Sequence, residues 1–198
     1  MLAKEIKPKK CKAPGCGQRF KPSLSTQTVC SMACARAMAK DPKLQKVAAK
    51  AITKQAREDL KARREKLKTK GDHLREAQQA FNAYIRERDR LAGYPCISSG
   101  RPLDWNGNAV DAGHYRSTGA APHLRFVENN CHAQSKHDNR YLSGNVADYR
   151  IGLIKRIGLE AVEALERDQS VRRYTIEDLR AIKALYRQKL KDLRRAAA

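Results

Sequence analysis

The sequence predicts an α+β protein, mostly helical, in which a small ββα unit is held between helical segments. Three observations lead there. Four cysteines crowd an N-terminal stretch that is too short to build a core of its own. Highly charged, helix-forming segments occupy both flanks of the chain. Between them, Tyr94 to Asn145 gathers four of the five histidines, the single tryptophan and most of the asparagines. The expected parts are a four-cysteine zinc finger over 1–40, a basic helical linker over 41–75, a core with its preceding helix over 76–150, and a C-terminal helical hairpin over 151–198.

Charge bounds the partners. Lys and Arg outnumber Asp and Glu by 42 to 21 in 198 residues, a formal net charge of +21. Such a field attracts polyanions, and nucleic acid is the commonest. Ribosomal or membrane-surface binding would need the same composition, so charge names a partner class and no activity. No apolar run approaches the ~18 residues of a membrane-spanning helix, and no apolar stretch follows the N-terminal lysines as a secretory signal requires. A cytoplasmic protein without a membrane partner is expected. In that compartment six cysteines serve as metal ligands or buried thiols rather than disulfides.

Cys11, Cys16, Cys30 and Cys34 have the spacing C-x4-C-x13-C-x3-C. Each close pair supplies two thiolates from one turn, which suits a tetrahedral Zn2+. Four thiolates leave no open position, so the zinc would be structural. Four independent free cysteines are the plainer alternative. Ser31 is placed to cap a helix carrying Cys34 in its first turn.

From Asp41 to about Arg90 the chain is helix-forming, with a break expected near Gly71. Between Lys43 and Lys70 eleven basic residues face three acidic ones, and the apolar stripe is thin. Either a solvated linker or a DNA-backbone contact fits; the latter would be sequence-blind and salt-sensitive. Ala77, Phe81, Tyr84, Ile85 and Leu91 fall near one helical face, so that segment packs on the core. Val146 to Arg167 reads as one amphipathic helix. Thr175 with Asp178 makes a capping box for a last helix, which should pair with its predecessor as an antiparallel hairpin or dimerise.

In the middle, AVDAGHY reads as a strand, Leu124 to Val127 as its partner and HAQSKHDNRYL as a helix: a ββα unit. Phosphodiester hydrolysis needs a base for water, a cation to stabilise charge on phosphate, and a group that holds the base. A histidine on the strand, with asparagine or aspartate oxygens for a hard cation, would supply these.

The segment DAGHY…LRF…NNCHAQ…N…SGN, the cysteine finger before it and TIEDLRAIKALYRQKLKDLR after it together resemble the phage NinG (Rap) recombination proteins. The resemblance spans nearly the whole chain. It implies an endonuclease of the HNH type, with a ββα-metal core, that cuts branched intermediates such as Holliday junctions and D-loops. Carried over residue by residue, it implies His114 as general base, Asn130 as the residue bracing the loop, and Asn139 as ligand of a catalytic Mg2+ or Mn2+. The acidic ligand expected directly before the histidine is replaced by Gly113. Asp111 is the nearest substitute, although on a strand it would point away from His114. Arg116, Arg125, Lys136 and Arg140 flank the site and are expected on the DNA backbone; ordinary surface charge is their plainer reading.

The resemblance further implies two C-x-x-C knuckles around the core. Here Cys96, Ser99, Ser135 and Asp138 occupy those places, a poor zinc set, so hydrogen bonding should replace the metal. A structure-selective DNA endonuclease is the leading reading, with paired cuts implying a homodimer. A non-catalytic DNA-binding protein on a degenerate scaffold is the alternative, and RNA binding leaves DAGHY and NNCHAQ unexplained.

Overall fold

A computed structural model describes residues 6–197. The chain divides into two compact units, residues 1–67 and 68–198.

In the first unit, strands β1 (Lys9–Lys10) and β2 (Arg19–Phe20) pair antiparallel. Gly15 (φ +76°) and Gly17 (φ +61°) turn the chain between them. Helix α1 (Met32–Lys40) begins at Ser31, whose hydroxyl accepts from the Cys34 amide at 3.2 Å. Helix α2 (Pro42–Lys66) starts with Asp41 as cap and proline in its first turn, the position where a missing N–H costs nothing. Every residue of α2 is exposed. Its break from the next helix falls at Leu67–Thr69, while Gly71 lies inside that helix's first turn. A capping box of Thr69 and Asp72, unnoticed in the sequence, fixes the restart.

The second unit is built on a two-stranded antiparallel ladder, β3 (Val110–His114) with β4 (Cys131–Ser135), in the register Val110–Ser135 through His114–Cys131. The expected partner strand, Leu124 to Val127, is instead a 3₁₀ turn over Pro122–Leu124 and its exit. The expected helix from His132 is also corrected. Its first part is β4, and only a short π-helical turn, His137–Tyr141, follows. Burial decides this: Cys131 to Gln134 are buried on both faces, and a strand covered on both sides loses the alternation that marks it.

Helix α3 (Lys70–Leu91) lies on one face of the ladder, where Phe81, Ile85 and Ala80 meet Cys131, Ala112 and, from helix α6 (Ile176–Ala196), Tyr186. Helices α4 (Val146–Ile157) and α5 (Leu159–Arg167) serve the other side, where Tyr149, Leu153, Val162 and Leu165 enclose Ile97, Tyr115 and Leu124. The single helix expected over 146–167 is broken by Gly158 at φ +85°. The C-terminal hairpin does not form either: α6 runs along α3, joined by Leu179, Ala77 and the Lys183–Glu76 pair at 2.6 Å. Its capping box of Thr175 and Asp178 is present.

Candidate functional site

His114 ends β3 half-buried, its ring 5.9 Å from that of Phe81. Its Nε2 lies 3.0 Å from the Arg125 carbonyl. A carbonyl only accepts, so Nε2 carries the proton and Nδ1 keeps its lone pair. Nδ1 faces the Cys131 thiol at 3.6 Å. Burial lowers the His114 pKa despite the carbonyl contact, which favours the neutral ring.

Asn130, fully buried at the head of β4, ties the loop after His114. Its Oδ1 accepts from the Arg116 amide at 2.8 Å, and its Nδ2 donates to the carbonyls of Arg116 (3.0 Å) and Leu124 (3.3 Å). All its main hydrogen-bonding capacity goes into closing that loop.

Asp111 and Asn139 form a second group. Asn139 Nδ2 donates to Asp111 Oδ2 at 3.0 Å, and Arg140 Nε donates to the same oxygen at 2.8 Å. Burial would raise the Asp111 pKa, but these two donors hold it below the usual carboxylate range. The strand is regular from 110 to 114, so Asp111 and His114 point to opposite faces. Ala112 and His114 look toward α3, whereas Asp111 and Gly113 look toward the π-turn and Gln134. A cation shared by His114, Asn139 and Asp111 therefore does not fit: the carboxylate is held by a guanidinium, the amide nitrogen of Asn139 faces it, and the histidine is on the other side. No step is routed through such an ion.

Cys96, Ser99, Ser135 and Asp138, expected from the resemblance at the knuckle places, converge. Cys96 Sγ, Ser99 Oγ and Ser135 Oγ all donate to Asp138 Oδ2, at 3.2, 3.0 and 2.6 Å. The Ser135 amide donates to Cys96 Sγ at 3.3 Å. Burial alone would raise the Asp138 pKa, yet the donors from Ser135, Cys96 and Ser99 lower it. The two turns are thus clasped by a carboxylate.

The four N-terminal cysteines also converge. Their sulfurs lie within 4.8 Å of one another, with Cys16–Cys30 at 3.7 Å and Cys30–Cys34 at 3.6 Å. A tetrahedron with Zn–S bonds of ~2.3 Å has edges of roughly 3.8 Å, while a disulfide needs about 2.05 Å. These cysteines could bind a metal such as zinc. The Ala13 amide leads in drawing Cys11 down to about 7, whereas hydrogen bonding to Cys34 leads in pushing Cys30 up to about 12. Packed thiols resist joint ionisation unless a cation neutralises them. Among the described residues no other group of three or more His, Cys, Asp or Glu could hold a metal.

Three of the four basic residues expected on DNA have partners within the fold, Arg116 and Arg125 half-buried and Arg140 on the surface. Arg116 Nη1 donates to the carbonyls of Leu165 (2.8 Å) and Asp168 (2.6 Å) and caps α5. Arg125 bridges Gln78 and the Thr118 carbonyl. Arg140 pairs with Asp111. Lys136 is half-buried at the end of β4. Sequence reasoning missed a buried ion group: Asp89 takes Arg88 Nε at 2.7 Å and the Ala133 amide at 2.6 Å, with Arg156 and His132 each at 3.6 Å. The charge-dense ERDR run on an otherwise packed helix was its only trace.

The model of the family described as Bacteriophage Lambda NinG protein matches residues 3–196. The chain belongs to that family. It is 44% identical over 205 residues to the protein ninG of Escherichia phage lambda, covering 98% of this chain and 97% of the relative. Identity to the Salmonella phage P22 protein ninG is 44% over 197 residues, 94% of each chain. The Escherichia phage 933W protein ninG is 51% identical over 140 residues, covering 70% of this chain and 66% of the relative. No solved structure matches. Among the described residues no helix is long and apolar enough to cross a membrane.

Proposed function

We propose that this NinG family member is an endodeoxyribonuclease acting on branched recombination intermediates in the host cytoplasm. In this reading His114 Nδ1 takes the proton of the attacking water, the Arg125 carbonyl fixes its tautomer, and Asn130 holds the loop that positions both. The observation that carries it is His114, oriented by its Nε2 contact to the Arg125 carbonyl so that Nδ1 keeps its lone pair. Zn2+ in the four cysteines gives the first unit its core. Binding of DNA rests on the net charge of +21 and on α2, which exposes Lys43, Lys46, Lys50, Lys54, Arg57, Lys61, Arg63, Arg64 and Lys66 along one unpacked helix. An isolated helix of that charge is best explained by phosphates lying along it.

Asp111 and Asn139 do not supply a cation to His114, so the source of any Mg2+ or Mn2+ dependence is open to direct assay. A labelled Holliday junction and a linear duplex of the same sequence are incubated with Mg2+, Mn2+ or EDTA, using the wild type and His114→Ala. Junction cleavage that disappears in the variant, with binding retained, is the expected result. Binding without cleavage in every metal favours the second reading, a non-catalytic DNA-binding protein. The observation in its favour is Asp111, turned from His114 and paired with Arg140.

A further inference from the structure

A cavity of about 420 Å3 opens between the Tyr94–Gly100 turn and α4, a volume within the ~300–1,000 Å3 range of ligand pockets. Its walls carry Lys155 and Arg156 and no acidic residue. Arg156 is only 11% exposed, and its guanidinium carbon lies 4.3 Å from the centre of the Tyr94 ring. It is fixed from behind by the fully buried Asp89 at 3.6 Å and by the Pro95 carbonyl at 3.2 Å. The result is a flat cation–aromatic pair held rigid at the cavity wall. The floor is fixed as well. A Cβ added at Gly152 would stand 1.8 Å from the Ile97 carbonyl oxygen, so the turn lies directly on the helix. At the rim, Ile151 is 55% exposed and Lys155 is open to solvent.

We propose that this cavity receives one unpaired nucleotide of a DNA strand. The base stacks on the Tyr94–Arg156 pair and the adjoining phosphate is drawn by Lys155. A flat aromatic wall with Lys155 at its rim, Arg156 behind it and no carboxylate in the lining suits a planar, anionic ligand. A paired base cannot enter without leaving its stack, whereas a strand at a branch point offers such nucleotides directly. The proposal rests on the DNA reading above and is independent of His114.

The test is fluorescence anisotropy with labelled oligothymidylate and with a duplex of equal length, using the full chain and the Tyr94→Ala/Lys155→Ala variant. Both positions are exposed enough to be changed without loss of the fold. The proposal predicts that the variant loses about tenfold in single-strand affinity, the size of one base-stacking contact. Duplex affinity changes less than about twofold by the same arithmetic. Photo-crosslinking of 5-iododeoxyuridine DNA should also map to Tyr94. Equal loss on both DNAs, no loss on either, or a crosslink elsewhere overturns the cavity assignment while leaving the DNA reading intact. A wild type that binds neither DNA overturns both.

Discussion

Two clasps of the same design sit in the two units of this chain. In each, two tight turns deliver two side chains apiece to one point. In the first unit the four groups are Cys11, Cys16, Cys30 and Cys34, with sulfurs at the spacing a tetrahedral metal imposes. In the second they are Cys96, Ser99, Ser135 and Asp138, and one carboxylate oxygen accepts from the other three. What differs is the surroundings. The first clasp has almost nothing else: no residue of α1 or α2 is buried. The second is backed by Tyr149, Leu153, Phe81 and Ile85, all at most 1% exposed. A unit without an apolar core depends most on whatever joins its clasp, while a unit with one can be closed by hydrogen bonds alone.

Breaking the first clasp should give the largest effect. Cys30→Ser, or exhaustive chelation, removes an interaction worth about 10–16 kcal/mol. The first unit should then lose its circular dichroism and become sensitive to protease, while the melting of residues 68–198 is unchanged.

Asp138→Ala leaves three donors facing a site that is 5% exposed. It should cost about 3 kcal/mol in denaturant unfolding of the second unit. Its counterpart sharpens the comparison: Ser99→Cys, Ser135→Cys and Asp138→Cys together complete a thiolate set with Cys96 and should bind an additional zinc.

How much of this was legible in the sequence follows the same division. Cysteine spacing announced the first clasp because ligand geometry is local, and Ser31 announced the helix that carries Cys34. The second clasp was placed only through the resemblance, since Ser, Ser and Asp carry no spacing signal of their own. The register of β4 was missed because Cys131 to Gln134 are buried on both faces. The pairing of α6 with α3 was missed because an amphipathic face does not name its partner. Arg116 and Arg125 looked like phosphate contacts because side-chain charge says nothing of which carbonyls lie within reach.

Acid should open both units, at different pH. Zinc needs thiolates, so the first unit should open first as pH falls. Asp89 is buried, which opposes ionisation, but His132 and Arg88 hold its carboxylate down to about 2. Its folded pKa lies below the ordinary value of ~3.9, so its contribution, about 2 kcal/mol, is present above that pH. It is lost as pH drops through about 2. The second unit should therefore hold its stability down to about pH 4 and lose it below, as read by urea midpoints across that range.

Gly152→Ala drives a methyl group into the Ile97 carbonyl. It should destabilise the second unit by about 2 kcal/mol, read as a lowered Tm with zinc content unchanged. The smallest effect expected is that of Arg116→Ala, which removes the cap on α5 and should cost about 1 kcal/mol.

The most direct measurement is the metal content of the purified full chain by mass spectrometry, beside Cys30→Ser and Cys96→Ser. The account predicts one zinc per chain, absent in Cys30→Ser and retained in Cys96→Ser. Two zincs per chain, one of them lost with Cys96, would contradict it and place a metal at the second clasp as well.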